Sequence, residues 1–326
     1  MSGKTEKEKY IAREEEWERL SENQRAAVNA AAEGYNLLED SVFPEALAAF
    51  QTAANLWPGN PIFWYEMAAL LRDEFKEYHQ ALWAAKKAVE LDDEEPEFHH
   101  MLGNVLRSFE DKPGAVREYL RALDLDPSHF AYNNLGLTYN ELGEFELARC
   151  YLETGLELTP EDSDLQLNLA TTLAGLGYEE DSAQILHRCA AQHSFDPQVL
   201  TQVADQFREL DRFEETAHFH LAALQLAPTS LYALNGYGVA LSILERYDEA
   251  EAVLADAIVL YPRNAILRSD LAVVLEEKGA FKEAIAQYRK AIELDPGNVG
   301  ALYCLSELLQ RLGRTGGDGD EEVGRP

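Results

Sequence analysis

Three side-chain amides stand one fixed interval apart in this chain: Asn134, Asn168 and Gln202, 34 residues from one to the next. An amide carries a donor and an acceptor together, so a row of them can pair with the backbone of an extended peptide whatever its sequence. Asn104, Asn133 and Asn140 add to the same stretch. Other chemistry is poorly provided for. His187, His193, His218 and His220 invite a metal reading, but His218 and His220 are two apart and point in different directions from a helix. No histidine forms an i, i+4 pair with a second ligand type, so no metal site is expected, and His220 is assigned to a core. Cys150, Cys189 and Cys304 have neither paired nor metal-type spacing, which fits a reducing compartment. Cys189 is expected to be an inert buried thiol, and Cys304 an accessible one without a His or Asp partner. There is no phosphate-binding glycine loop, no nucleophile elbow and no isolated carboxylate pair in an apolar setting. Acidic pairs such as Glu276-Glu277 read as solvated surface. Neither catalysis nor a cofactor is expected.

The elements that must position these amides are helical hairpins. Residues 265–298 read AILRSDLAVVLEEKGAFKEAIAQYRKAIELDPGN. Leu271, Ala272 and Leu275 share one face of a first helix, and Ala284, Tyr288 and Ala291 share one face of a second. Gly279 gives the freedom for a tight turn between them, and Pro296 cannot continue the second helix. A unit of 34 residues is too small to bury its own apolar face and needs neighbours. The rest of the chain supplies them. The same pattern fits residues 27–60, 61–95, 96–128, 129–162, 163–196, 197–230 and 231–264, with one extra residue near Phe75 and Lys76 and one fewer in 96–128. Residues 299–314 repeat only the first helix and read as a cap. At unit positions 8, 20 and 27 every residue is Gly, Ala, Ser, Thr or Cys, as in Gly34, Ala46 and Ala53 or Gly136, Ala148 and Gly155. Paired helices approach most closely there, and a larger side chain would cost about 1–3 kcal/mol in overpacking. Residues 1–26 form a charged segment, partly helical through Tyr10, Trp17 and Leu20, and Ser21 with Gln24 reads as a capping box. Residues 315–326 read as a disordered acidic tail.

Composition narrows the partners. The chain has 326 residues and a formal net charge of −31, against a hydrophobic fraction of 46% that suits a folded protein. That charge disfavours nucleic-acid backbones and anionic membrane surfaces, both of which call for clustered cations. It favours basic or neutral partners, although solubility or salt adaptation would explain it equally. No apolar run approaches the roughly 20 residues of a membrane helix, and the first residues lack the apolar core of a secretory signal. A soluble cytoplasmic protein is expected.

A 34-residue helix–turn–helix with small residues at fixed places and a closing proline resembles the tetratricopeptide repeat (TPR) family over residues 27–314. The resemblance implies an all-α fold, a right-handed superhelical TPR solenoid whose concave wall comes from the first helix of each unit. It also implies a groove. Tyr65, His100, Asn104, Phe130, Asn133, Asn134, Asn168, Gln202 and Tyr232 occupy positions that face it in the family. Asn134, Asn168 and Gln202 would form a ladder similar to the asparagine ladder of the O-GlcNAc transferase superhelix, with Tyr65, Phe130 and Tyr232 as apolar anchors. Glu39, Glu66, Asp73, Asp270, Glu276 and Glu277 would make the rims acidic. The alternative for the amides is a set of solvated polar residues on a helix face, or hydrogen bonding between helices. TPR co-chaperones that hold the EEVD tails of heat-shock proteins use a Lys, Asn and Arg cluster; in the matching window stand His100, Asn104, Asn134, Asp164 and Asn168, without the cations, so that ligand is excluded. The expected function is a non-enzymatic scaffold or adaptor for a protein or extended peptide. Its alternatives are the substrate-recognition superhelix of a partner enzyme, or an assembly factor that associates with itself.

Overall fold

A computed structural model describes residues 17–127 and 129–315, and among them every regular element is a helix. The expectations for residues 1–16 and 316–326 lie outside the described residues. Residues 17–20 form a turn closed by Leu20 N–H donating to the Trp17 carbonyl. The expected capping box is present: Gln24 N–H donates to Ser21 Oγ while Ser21 N–H donates to Gln24 Oε1.

The chain divides into two units, residues 1–172 and residues 173–326. The first holds α1 (Glu22–Glu39), α2 (Phe43–Leu56), α3 (Pro61–Asp73), α4 (Tyr78–Leu91), α5 (Pro96–Ser108), α6 (Lys112–Leu125), α7 (His129–Glu141), α8 (Phe145–Leu158) and most of α9 (Ser163–Gly175). The second continues with α10 (Glu179–Gln192), α11 (Pro197–Glu209), α12 (Phe213–Leu226), α13 (Leu231–Ile243), α14 (Tyr247–Leu260), α15 (Ala265–Glu277), α16 (Phe281–Leu294) and α17 (Val299–Thr315). Successive helices pair as hairpins, and within a unit the first helix of one hairpin touches the first helix of the next, as α5 touches α7 and α13 touches α15. The last helix runs to Thr315, one residue past the expected end of the cap at 314.

Why these residues fold so is visible at the helix crossings. Gly103, Gly136 and Gly238 each lie under a large side chain of the second helix in their own hairpin: a Cβ there would stand 2.5 Å from Tyr119, 2.3 Å from Leu152 and 2.7 Å from Leu254. A small residue lets one bulky ring or branched chain span the hairpin, and Phe50, Tyr119, Leu152, Leu254 and Tyr288 are almost wholly buried as a result. His220 takes the corresponding place in α12 and is 0% exposed. Cys189 is buried, as expected for a packing position, and Cys304 is half-buried.

Each hairpin turns through one residue in the left-handed region. Gly143, Gly177 and Gly279 do so at φ between 76° and 81°, but Ser41, Lys76, Glu110, Asp211 and Glu245 fill the same place at 56° to 63°. Two backbone bonds recur there: Asp211 N–H to Arg208 O and Arg212 N–H to Phe207 O, or Gly279 N–H to Glu276 O and Ala280 N–H to Leu275 O. These satisfy carbonyls that the end of the first helix would otherwise leave open.

Candidate functional site

The residues singled out by spacing sit on the faces of the first helices. In the first unit α5, α7 and α9 bring several of them into hydrogen-bonded groups, one between α5 and α7 and others between α7 and α9. Asn134 on α7 donates its amide protons to His100 Nε2 at 2.5 Å and Asn104 Oδ1 at 3.3 Å, both on α5. Asn104 Oδ1 also accepts from the Tyr119 hydroxyl at 2.7 Å. One repeat further, Asn168 on α9 donates to Asn133 Oδ1 at 2.8 Å, and the Thr172 hydroxyl donates to Asn140 Oδ1 at 2.9 Å. The amides therefore bond first to each other. Their planes are fixed, while Asn134 Oδ1 and the Asn133 amide protons have no partner among the described residues. Fixing a polar group before a ligand arrives lowers the ordering cost of binding.

Electrostatics among these groups follow from burial. His100 is pushed down to about 4, chiefly by desolvation and then by the guanidinium groups of Arg72 and Arg107. It is neutral at physiological pH, which suits Nε2 as the acceptor of the Asn134 proton. Burial pushes the Tyr119 hydroxyl up to about 12, so it stays protonated and donates to Asn104. Spacing did not single out Tyr119, because it belongs to a second helix. The signal was a tyrosine opposite Gly103, at the place that Phe50, Leu152, Leu186, Leu254 and Tyr288 take in other hairpins.

The remaining residues are dispersed. Phe130 on α7 is 60% exposed, and Tyr65 on α3 is half-buried against Phe98, with ring centroids 5.7 Å apart. In the second unit Gln202 on α11 is exposed and lines a cleft of about 480 Å³ with Thr201, Asp205, Ser230 and Tyr232. Tyr232 on α13 is 58% exposed and donates its hydroxyl to Asp205 Oδ2 at 2.9 Å. Several of the carboxylates assigned to acidic rims are engaged within the protein. Glu66 accepts from the Tyr35 hydroxyl, Asp73 accepts from Nε and Nη2 of Arg72, Asp270 accepts from Asn235, and Glu276 pairs with Arg311 at 2.7 Å. Burial pushes Asp270 above the usual carboxylate range, and the Asn235 bond offsets part of this. Among the described residues no group of three His, Cys, Asp or Glu side chains could hold a metal ion, and no helix is long and apolar enough to cross a membrane.

Comparison with known proteins bears on the frame. Tetratricopeptide repeat family models match residues 131–162, 238–299 and 287–317. A peroxisomal targeting signal receptor of Candida albicans is 28% identical over 211 residues, 61% of this chain and 35% of that protein. A probable UDP-N-acetylglucosamine–peptide N-acetylglucosaminyltransferase, SPINDLY, of Petunia hybrida is 28% identical over 116 residues, 36% of this chain and 12% of that protein. The chain thus spans well under half the length of these relatives. Among solved structures, the anaphase-promoting complex hetero-tetramer Cut9-Hcn1 superposes with a TM-score of 0.52 at 18% identity, covering 90% of this chain and 58% of that one. Small residues under each spanning side chain, hairpins stacked through their first helices and three matched repeat stretches lead to one conclusion: the chain is a tetratricopeptide repeat protein with an all-α solenoid fold.

Proposed function

We propose that this protein is a non-enzymatic scaffold that holds a protein or an extended peptide segment against the first-helix faces of its repeats. The observation that carries the reading is the braced set of amides Asn104, Asn133, Asn134 and Asn168. Its members are half-buried, fixed by one another, and offer alternating donors and acceptors of the kind a peptide backbone pairs with. Exposed Phe130 shares a helix with Asn133 and Asn134, and exposed Gln202 and Tyr232 lie on first helices of the second unit. The preference for a basic or neutral partner rests on the charge of −31. Heat-shock EEVD tails, nucleic acid and membrane surfaces are not assigned as partners.

The test is comparative capture from a lysate at low and high salt, followed by titration of the captured protein. Asn133→Ala with Asn134→Ala should weaken the titrated affinity by about tenfold, the loss of one or two hydrogen bonds to a bound backbone. Circular dichroism should show an unchanged helical content. Undiminished affinity in the doubly substituted chain would refute the reading.

A second reading follows from the glycosyltransferase relative: a substrate-recognition stack for a partner enzyme. The shared stretch is 12% of that protein, so any transfer activity would be the partner's. Captured proteins that include no transferase would remove it.

A further inference from the structure

Tyr232 is the wall between two clefts on the first-helix face of the second unit. On the α11 side lie Gln202 and Asp205, and on the α15 side a smaller cleft of about 290 Å³ is lined by Asn235, Asn264 and Ile266. We propose that the α11 side is a pocket for one basic side chain, a lysine or arginine, whose cation lies against the Tyr232 ring and pairs with Asp205. The inference rests on the peptide-binding reading and adds to it the residue class that this unit selects.

Four observations carry it. Tyr232 is 58% exposed and lines the cleft, and its hydroxyl donates to Asp205 Oδ2, which holds the ring beside the carboxylate. An aromatic face of this kind attracts a cation through its quadrupole. Asp205 is half-buried, and burial raises its pKa; the Tyr232 bond and the Arg208 charge offset only part of that. A carboxylate so placed gains from a cation arriving in the cleft. Arg208 already shows that it accepts a guanidinium, but loosely: Nη2 stands 3.7 Å from Asp205 Oδ1, and Arg208 leans instead on Glu209 at 3.2 Å. A ligand cation at hydrogen-bond distance would displace it.

The core next to Tyr232 is unusual. His220 is 0% exposed and neither ring nitrogen has a hydrogen-bond partner. Its Nε2 is aimed at Gly236, where a Cβ would stand only 2.3 Å away, and its ring lies 6.5 Å from that of Tyr232. A neutral imidazole adds no charge to oppose a cation. Gly236, at the repeat position of Asn134, Asn168 and Gln202, adds no amide to this stretch.

The probes are blocked nine-residue glycine–serine peptides carrying one central arginine, lysine, citrulline or glutamate, dye-labelled and titrated into the full chain by fluorescence anisotropy. The arginine and lysine peptides should bind about tenfold tighter than the citrulline and glutamate peptides. Tyr232→Leu and Asp205→Asn should each remove most of that advantage, whereas Tyr232→Phe, which keeps the ring, should retain it. Equal binding of all four peptides overturns the pocket and leaves the peptide-binding reading standing. An arginine preference that survives Tyr232→Leu and Asp205→Asn also overturns it. Failure of every peptide to bind overturns both.

Discussion

At the scale of single residues, the informative positions are those where a hairpin has little room. Gly103 and Gly136 exist because Tyr119 and Leu152 occupy the volume a Cβ would need. His220 is the exception in kind, an imidazole in a place that elsewhere holds leucine, phenylalanine, tyrosine or, at Ala85, alanine. Desolvation, and then the Arg208 charge, push it down to about 4. In the unfolded chain a histidine titrates near about 6.5, so on acidification the unfolded state takes the proton first. The contribution of the neutral ring is therefore fully present above pH 6.5 and is lost as pH falls towards 4. His220→Leu should flatten this loss, which amounts to about 3 kcal/mol at most. Urea unfolding at pH 7 and pH 4.5 measures it. A parent and variant that lose stability equally would show that the ring is not desolvated in the folded state. His100 titrates in the same sense in both proteins and cancels from the comparison.

At the scale of elements, the hairpin turn is a fixed backbone shape filled by varied residues. Gly279 suits it without strain, whereas Glu245 holds φ at 59° at a cost. A side chain in the left-handed region is disfavoured by about 1–2 kcal/mol relative to the right-handed one, and the extra freedom of glycine in the unfolded chain offsets roughly 0.4–1 kcal/mol of that. Glu245→Gly should therefore stabilise the second unit by about 0.5–1 kcal/mol, and Gly279→Ala should destabilise it by a similar amount. Thermal unfolding followed by circular dichroism reads both. A shift of the same sign in the two variants would contradict the turn geometry. The closing proline and Gly279 were legible as turn signals in the sequence. The left-handed backbone at Lys76, Glu110 and Glu245 was not, because the two recurring backbone bonds impose it and no local residue preference announces it.

At the scale of the whole molecule, 59 acidic residues face 28 basic ones. Self-repulsion of that size opposes the folded state and is screened by salt over about 10 Å at 0.1 M. The local ion pairs, such as Arg246–Glu249 and Lys290–Glu293, are exposed and worth little each. The unfolding midpoint should rise when salt is increased from 20 mM to about 500 mM, where the screening length falls to a few ångströms. A midpoint that falls would mean that specific ion pairs outweigh the net charge.

Sequence alone determined the repeat. A 34-residue period with small residues at three positions leaves one way to bury the apolar faces, the stacking of helical hairpins, because each unit is too small to fold by itself. It also determined which residues lie on the first-helix face, since helical spacing assigns a face without any knowledge of neighbours. What those residues touch was decided only by the tertiary structure. Asn104, Asn134 and His100 meet because α5 and α7 pack side by side, and Tyr119 joins them from another helix. Period and face are local properties of a helix. A hydrogen bond between side chains 30 or more residues apart depends on the packing distance and rotation of two helices, which no single stretch of sequence carries.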